Sequence, residues 1–322
     1  MEEREFSAAR YCNSNGNIEP LFLFITPGFV NLADVMKKTT LSIIVFCAVA
    51  MLSSCGTDGK RKPLMGGIRS ALAAETSGAG LNGNEDNAAG GGAETGGKLE
   101  IPAPLTDRDE QILSRTGYTV SYNKTTMLPN WVAWQLTADR LEGTAKRPQR
   151  AFHADDDVPE PRAVDADYYN SGYDRGHMCP AADNKWSETA MYESFLFTNM
   201  CPQNHNLNVG DWNEMEQACR RWAKRYGSVY IVCGPILYKG RHRTIGRHKV
   251  VVPDAFFKVV LCMEGTPKAI GFIYKNTAGN RPKGDYMNSV DEVERITGID
   301  FFPSLPDDIE NRVEAGCKLE EW

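Results

Sequence analysis

The chain has 322 residues, a formal charge of −6 and 42% hydrophobic residues. That length allows one or two domains, and the hydrophobic fraction is ordinary for a globular protein with a sizeable core. The net negative charge gives no argument for a polyanionic partner, so any such surface has to be local.

The N-terminal third does not read as fold. Met36-Lys37-Lys38 is basic, and the apolar run Leu41–Leu52 (LSIIVFCAVAML) follows. A membrane span needs roughly twenty apolar residues, so this shorter run reads as a secretory signal. Leu52-Ser53-Ser54-Cys55 resembles a bacterial lipobox, which implies a lipid on Cys55 as the first mature residue. An ordinary signal peptide cut nearby, or an uncleaved anchor, is the alternative. Residues 1–35 then read as an upstream extension from an early start codon, and 36–54 as the signal peptide. Residues 55–100 read as a flexible Gly/Ala-rich tether, since Ser77–Lys98 holds almost nothing to bury. The folded domain is expected at 101–322. The expected location is the bacterial cell envelope, with the chain lipid-anchored at the outer membrane, periplasm or cell surface. Whether it is a monomer or a homodimer is left open.

Six cysteines fall in the domain: 179, 201, 219, 233, 262 and 317. An even number in an exported domain permits disulfides, with free buried thiols as the alternative.

Along the domain, Asp107–Arg115 predicts a short helix, with acids early and Arg late. Thr119–Asn123 and Trp131–Leu136 alternate as strands, with Leu128-Pro129-Asn130 as the turn between them. Ala145–Asp174 is polar and rich in Pro and Asp, a long ordered loop. Phe195–Asn199 is a strand candidate, Asn208–Tyr226 a helix and Val229–Val232 a buried strand. Lys249–Val252, Phe256–Met263 and Ala269–Tyr274 add strands, and Ser289–Gly298 a helix. No βαβ alternation is evident, so the expected class is α+β, with a central, largely antiparallel sheet flanked by helices.

Two segments carry chemistry. Tyr173–Asn184 (YDRGHMCPAADN) sets an acid, a cation, a glycine and an imidazole side by side, in a stretch too polar and turn-prone for a core. On the helix, Asn208, Trp212, Glu216 and Arg220 recur every four residues and share one slanting stripe. Met215, Ala218, Cys219 and Trp222 form a different, apolar stripe for the core. Alone, the polar stripe is a solvated face with a Glu–Arg pair. Beside an imidazole, it suits phosphodiester hydrolysis. Histidine is a base near neutral pH, an Asn oxygen can hold a hard cation, and arginines offset phosphate charge.

The residues Asp174-Arg175-Gly176-His177, then Asn199-Met200-Cys201-Pro202-Gln203, then Asn208, Trp212 and Glu216, resemble the DNA/RNA non-specific endonucleases. These are ββα-metal (His-Me finger) nucleases. The resemblance runs from about Tyr118 to Phe301, including Gly234-Pro235 and Val252-Pro253. It implies that fold, and hydrolysis of DNA and RNA with Mg²⁺, or Mn²⁺ or another divalent cation. By the same resemblance His177 is the general base, Asn208 the direct metal ligand and Glu216 an outer group holding a metal-bound water. Arg175 and Arg220 clamp the scissile phosphate, and Arg150 binds phosphate. Asp174 orients its loop and Asn199 braces the site. Gly176 lets the backbone pass close beside His177, and the DRGH run is expected on a tight turn. Cys179 and Cys201 flank the site, and a disulfide between them would make the loop redox-sensitive.

Residues 201–250 hold nine Lys and Arg against three Asp and Glu, densest at Tyr238–Lys249. This is a solvated basic loop or, beside a nuclease site, a groove for nucleic-acid backbone. His242 and His248 have no clear partner in the sequence. Two other readings stand. His177, Cys179, Cys201 and His205 could be four zinc ligands of a small binding domain. The chain could also be a tethered nucleic-acid-binding protein without nuclease activity.

Overall fold

The computed structural model describes residues 98–322, with two short strands at 10–12 and 18–20. The two strands and residues 98–322 fall in one compact unit. The signal segment, Cys55 and the tether as far as residue 97 lie outside the described residues. No helix among the described residues is long and apolar enough to cross a membrane.

In chain order the strands are β1 (Arg10–Cys12), β2 (Ile18–Pro20), β3 (Gln111–Ser114), β4 (Thr119–Asn123), β5 (Leu128–Thr137), β6 (Asp174–His177), β7 (Met200–Gln203), β8 (Ser228–Ile236), β9 (Thr244–Ile245), β10 (Val250–Val251), β11 (Ala255–Cys262), β12 (Lys268–Lys275) and β13 (Met287–Asn288). The helices are α1 (Asp165–Tyr168), α2 (Glu188–Glu193), α3 (His205–Leu207), α4 (Asn213–Tyr226), α5 (Val290–Thr297) and α6 (Asp307–Glu314). Seven strands form the central sheet in the order β13-β12-β11-β8-β5-β4-β3, every pair antiparallel. The class is α+β, as the pattern predicts.

The sheet is covered on both faces, which makes three layers. Strand alternation divides β11 between them. Phe256, Val260 and Cys262 join the core that includes Met215, Cys219 and Trp222 of α4. Phe257, Val259 and Leu261 join the core formed with Val290 and Val293 of α5 and Val313 of α6. Each fully buried apolar side chain contributes roughly 1.5–3 kcal/mol. Helix α5 is bounded by local signals. The Ser289 side chain accepts from the Glu292 N–H, and Gly298 closes the helix at φ 69°.

Several elements differ from expectation. The segment expected as a helix at 107–115 contains edge strand β3, which pairs with β4 around a turn closed by the Arg115 N–H to the Tyr118 carbonyl at 2.8 Å. Pairing with a neighbour outweighs the weak local preference. Leu128-Pro129-Asn130 lies inside β5, beside a register shift at Ser121/Tyr122 that accommodates the proline. The chain reverses earlier, where Met127 has φ 56°. Phe197–Asn199 is a 3₁₀ turn, and the strand begins at Met200. The long polar loop is as expected, apart from the one-turn α1. The DRGH run is strand β6, paired with β7, and not a turn.

Candidate active site

His177 ends β6 and lies opposite Met200 of β7. The pair packs closely at Gly176, where a Cβ would fall 2.3 Å from Gln203 Oε1 and 2.6 Å from its Cβ. The glycine thus makes room for Gln203 rather than for His177. Gly176→Ala is expected to cost about 1–3 kcal/mol through overpacking. A shift of the adjacent His177 by about 1 Å would lower activity by about 100-fold. Thermal melts and activity measurements on the variant check both effects; an unchanged melt would overturn the account of this contact.

The His177 ring sits edge-on to Phe195, 4.9 Å between centroids, with Phe152 at 5.7 Å. Its carbonyl accepts from Trp212 Nε1 at 3.2 Å, which ties β6 to the helical segment. Nε2 is buried and has no hydrogen-bond partner. Burial, and then the nearby Arg147, push the imidazole down to about 3 from 6.5. At neutral pH it is therefore unprotonated, the form that accepts a proton.

Asn208 opens a π-turn, Asn208–Trp212, that runs into α4 with a non-helical residue at Gly210 (φ −98°, ψ −112°). The expected continuous helix is broken here. Asn208 Nδ2 donates to Asp174 Oδ2 at 2.9 Å, and His205 Nδ1 lies 2.9 Å from the same oxygen. That bond fixes which way the amide points, and among the described residues Oδ1 has no protein donor. Asp174 lies in β6 rather than in the expected loop, and its carboxylate orients Asn208.

One cavity of about 700 Å³ is lined by His177, Asn208, Glu216 and Arg220, the residues that the sequence brings forward. Trp212 leaves that stripe. It is 1% exposed and packs on Phe256 and Tyr274, because the π-turn rotates it into the core. Glu216 is pushed up to about 7 by burial, against the pull of Lys258 and Arg220. Arg220 donates to Asp183 Oδ1 at 2.8 Å and lies 4.0 Å from Glu216. Asp183 also accepts from Trp134 Nε1 at 3.2 Å.

Three expected residues lie elsewhere. Arg175 donates to the Asp165 carboxylate at 2.7 Å and to its carbonyl at 3.2 Å, over the Phe152 and Tyr168 rings. It does not line the cavity. Arg150 is exposed and outside it as well. Asn199 is fully buried and spends its amide on the Cys179 N–H and on the Cys179 and Ser194 carbonyls. It braces the backbone two residues past His177 and cannot touch a substrate.

Other side chains take those places. Lys146, Arg147 and Lys185 line the cavity. Arg147 lies over Phe152 and Phe195 at 5.1 and 5.0 Å, the rings that pack on His177. It forms no ion pair among the described residues. The only sequence signal for it is a basic pair before Pro148, three residues from the arginine singled out. Lys258 is 1% exposed inside β11, over the Trp134 and Trp212 rings. Burial opposes its charge, while the nearby Glu216 and Asp183 carboxylates favour it, and its pKa stands above the usual lysine value.

The remaining expectations resolve as follows. Cys179, Cys201, Cys219, Cys233 and Cys262 are free and buried, so no disulfide joins Cys179 to Cys201. Cys317 is disulfide-bonded. The proposed zinc set forms no cluster: His205 pairs with Asp174, and the one group with metal-ligand spacing among the described residues is made of carboxylates elsewhere. His242 and His248 do have partners, Asp254 at 3.2 Å and Asp167 at 2.9 Å.

Residues 95–308 match the family model for DNA/RNA non-specific endonuclease. The chain belongs to the DNA/RNA non-specific endonuclease family. Among its relatives in this family is the mitochondrial nuclease EXOG of Danio rerio, 37% identical over 206 residues, which cover 59% of this chain and 60% of that protein. The mitochondrial endonuclease G of Bos taurus is 32% identical over 231 residues, covering 67% and 76%. The crystal structure of an EndoG/EndoGI complex superposes with a TM-score of 0.59 at 28% identity, covering 61% of this chain and 87% of that one. These matches support the ββα-metal nuclease fold implied by the DRGH resemblance.

Proposed function

We propose that this family member is a metal-dependent endonuclease that hydrolyses phosphodiester bonds of DNA and RNA with little sequence preference. The reading is carried by one juxtaposition. A neutral His177 shares a cavity with Asn208, whose amide nitrogen is spent on Asp174. Asn208 Oδ1, with the Glu216 carboxylate as an outer partner, is a hard oxygen set that fits Mg²⁺ or Mn²⁺. Such an ion, when bound, supplies charge stabilisation at the phosphate and at the leaving 3′ oxygen.

The protein's own groups do the rest. The His177 imidazole takes the proton from a water as that water attacks phosphorus. Arg147, free of carboxylates and held over two rings, meets the phosphate charge; Arg220, fixed by Asp183, adds a second cation at the wall. Arg175 supports the site through Asp165. The exposed Lys239, Arg241, Arg243, Arg247 and Lys249 offer positive charge for the nucleic-acid backbone. No base-reading motif accompanies them, which suits low sequence preference.

The test is cleavage of supercoiled plasmid and of single-stranded RNA, with Mg²⁺ and with EDTA. Cleavage of both with Mg²⁺ alone is expected. Tight, salt-sensitive binding without cleavage in any divalent metal would favour the nucleic-acid-binding reading.

A further inference from the structure

On the opposite face of the sheet, Asp291, Glu294 and Glu314 each offer a carboxylate oxygen, and these lie within 4.8 Å of one another. Asp291 and Glu294 stand at i, i+3 on α5, so they share a helix face. Glu314 ends α6, whose Val313 packs in the same core as Val290 and Val293. Glu294 Oε1 accepts the Phe301 N–H at 2.7 Å, which holds that carboxylate in place and leaves its second oxygen free.

Glu314 is the unsatisfied member of the cluster. It is 6% exposed, and its Oε1 is buried with no hydrogen-bond partner. No Lys or Arg among the described residues forms an ion pair with any of the three. Asp300 and Glu310 add further negative charge beside them. A buried carboxylate without a donor costs several kcal/mol, and like charges around it raise that cost. Only a proton or a cation offsets it. Without a cation, burial first and then the neighbouring carboxylates push Glu314 up to about 9.

We infer that Asp291, Glu294 and Glu314 form a calcium site that ties α5 to α6, separate from the nuclease cavity. Three carboxylates supply up to five free oxygens, with waters completing the shell, and no nitrogen or sulfur. That set suits Ca²⁺, which takes about 6–8 oxygens in flexible geometry. Mg²⁺ keeps several of its waters in a strict octahedron and needs fewer, and zinc prefers nitrogen and sulfur. Asp291 is exposed, which gives an ion a way in. The ion would bridge two helices that otherwise meet through apolar contacts, so its expected effect is on the stability of this face.

The experiment follows calorimetric binding of Ca²⁺ to the metal-stripped full chain, with thermal melts with and without the ion. Wild type is compared with Asn208→Ala, Glu314→Gln and Asp291→Asn. Asp291 is exposed, so its variant remains informative if Glu314→Gln folds poorly. At about 100-fold excess over the dissociation constant, Ca²⁺ is expected to raise the melting midpoint by about 5–10 °C. Asn208→Ala should keep that rise, while Glu314→Gln and Asp291→Asn lose most of it together with one bound ion. A rise unchanged in both carboxylate variants overturns the assignment. So does the absence of Ca²⁺ binding by Asn208→Ala, which would leave a proton as the occupant. An equal rise with Mg²⁺ overturns the choice of calcium.

Discussion

Replacing His177 by alanine is expected to lower metal-supported cleavage of plasmid and RNA by about 10²–10⁴-fold, the range that a positioned general base contributes. The chain should stay folded. Its ring is packed by Phe152 and Phe195, and losing it costs about 1–3 kcal/mol. Far-UV circular dichroism and a thermal melt separate that cost from lost chemistry. Cleavage within tenfold of wild type would rule His177 out as the base.

The same residue should leave a signature in stability against pH. In the folded chain it titrates near 3, while an unfolded histidine titrates near 6.5. Between those values the unfolded state binds the extra proton. The contribution is therefore fully present above about 6.5 and is lost as pH falls toward 3. From pH 7.5 to 5, wild type should lose about 2 kcal/mol more unfolding free energy than His177→Asn. Parallel urea titrations would show no difference if His177 is solvated and protonates freely.

The second large effect is expected at Lys258. Its ammonium is enclosed between two indoles, beside Cys233 and Cys219 and near the Glu216 and Asp183 carboxylates. Lys258→Met keeps most of the volume and removes the charge. Glu216 and Asp183 then keep Arg220 as their partner without the nearby buried lysine charge, a loss expected to cost about 1–3 kcal/mol. Glu216, already raised to about 7, would rise further and lose its anion at neutral pH. Activity should therefore fall even where the variant remains folded. Adding Glu216→Gln should recover part of the lost stability, a coupling of at least about 0.5 kcal/mol. A single-variant loss below about 1 kcal/mol, measured by urea unfolding, would mean that the lysine is neutral or reaches solvent.

Elements with local signals were legible from sequence. Thr119–Asn123 alternates and is β4; Ser289 and Gly298 cap α5; Met215, Ala218, Cys219 and Trp222 recur at helical spacing and are buried. The site was legible as motifs: His177, Asn208, Glu216 and Arg220 do share one cavity. Where expectation failed, the deciding partner was distant in the chain. Gln111–Ser114 is a strand because β4 is beside it. Arg175 is engaged by Asp165, ten residues earlier, so it does not reach the cavity.

The sequence alone determined the class, the order of the main strands and helices, and the chemical types at the site. Those rest on periodicity, capping and motif spacing, which act over a few residues. Only the tertiary structure decided which cations face the cavity, Arg147 and Lys185 rather than Arg175 and Arg150. Only it showed that Trp212 turns inward, that Lys258 is buried against the Trp134 and Trp212 rings, and that three acids from α5 and α6 converge. Each of these depends on packing between residues far apart in the chain, where burial and the nearest opposite charge set a side chain's position, and no local pattern encodes that distance.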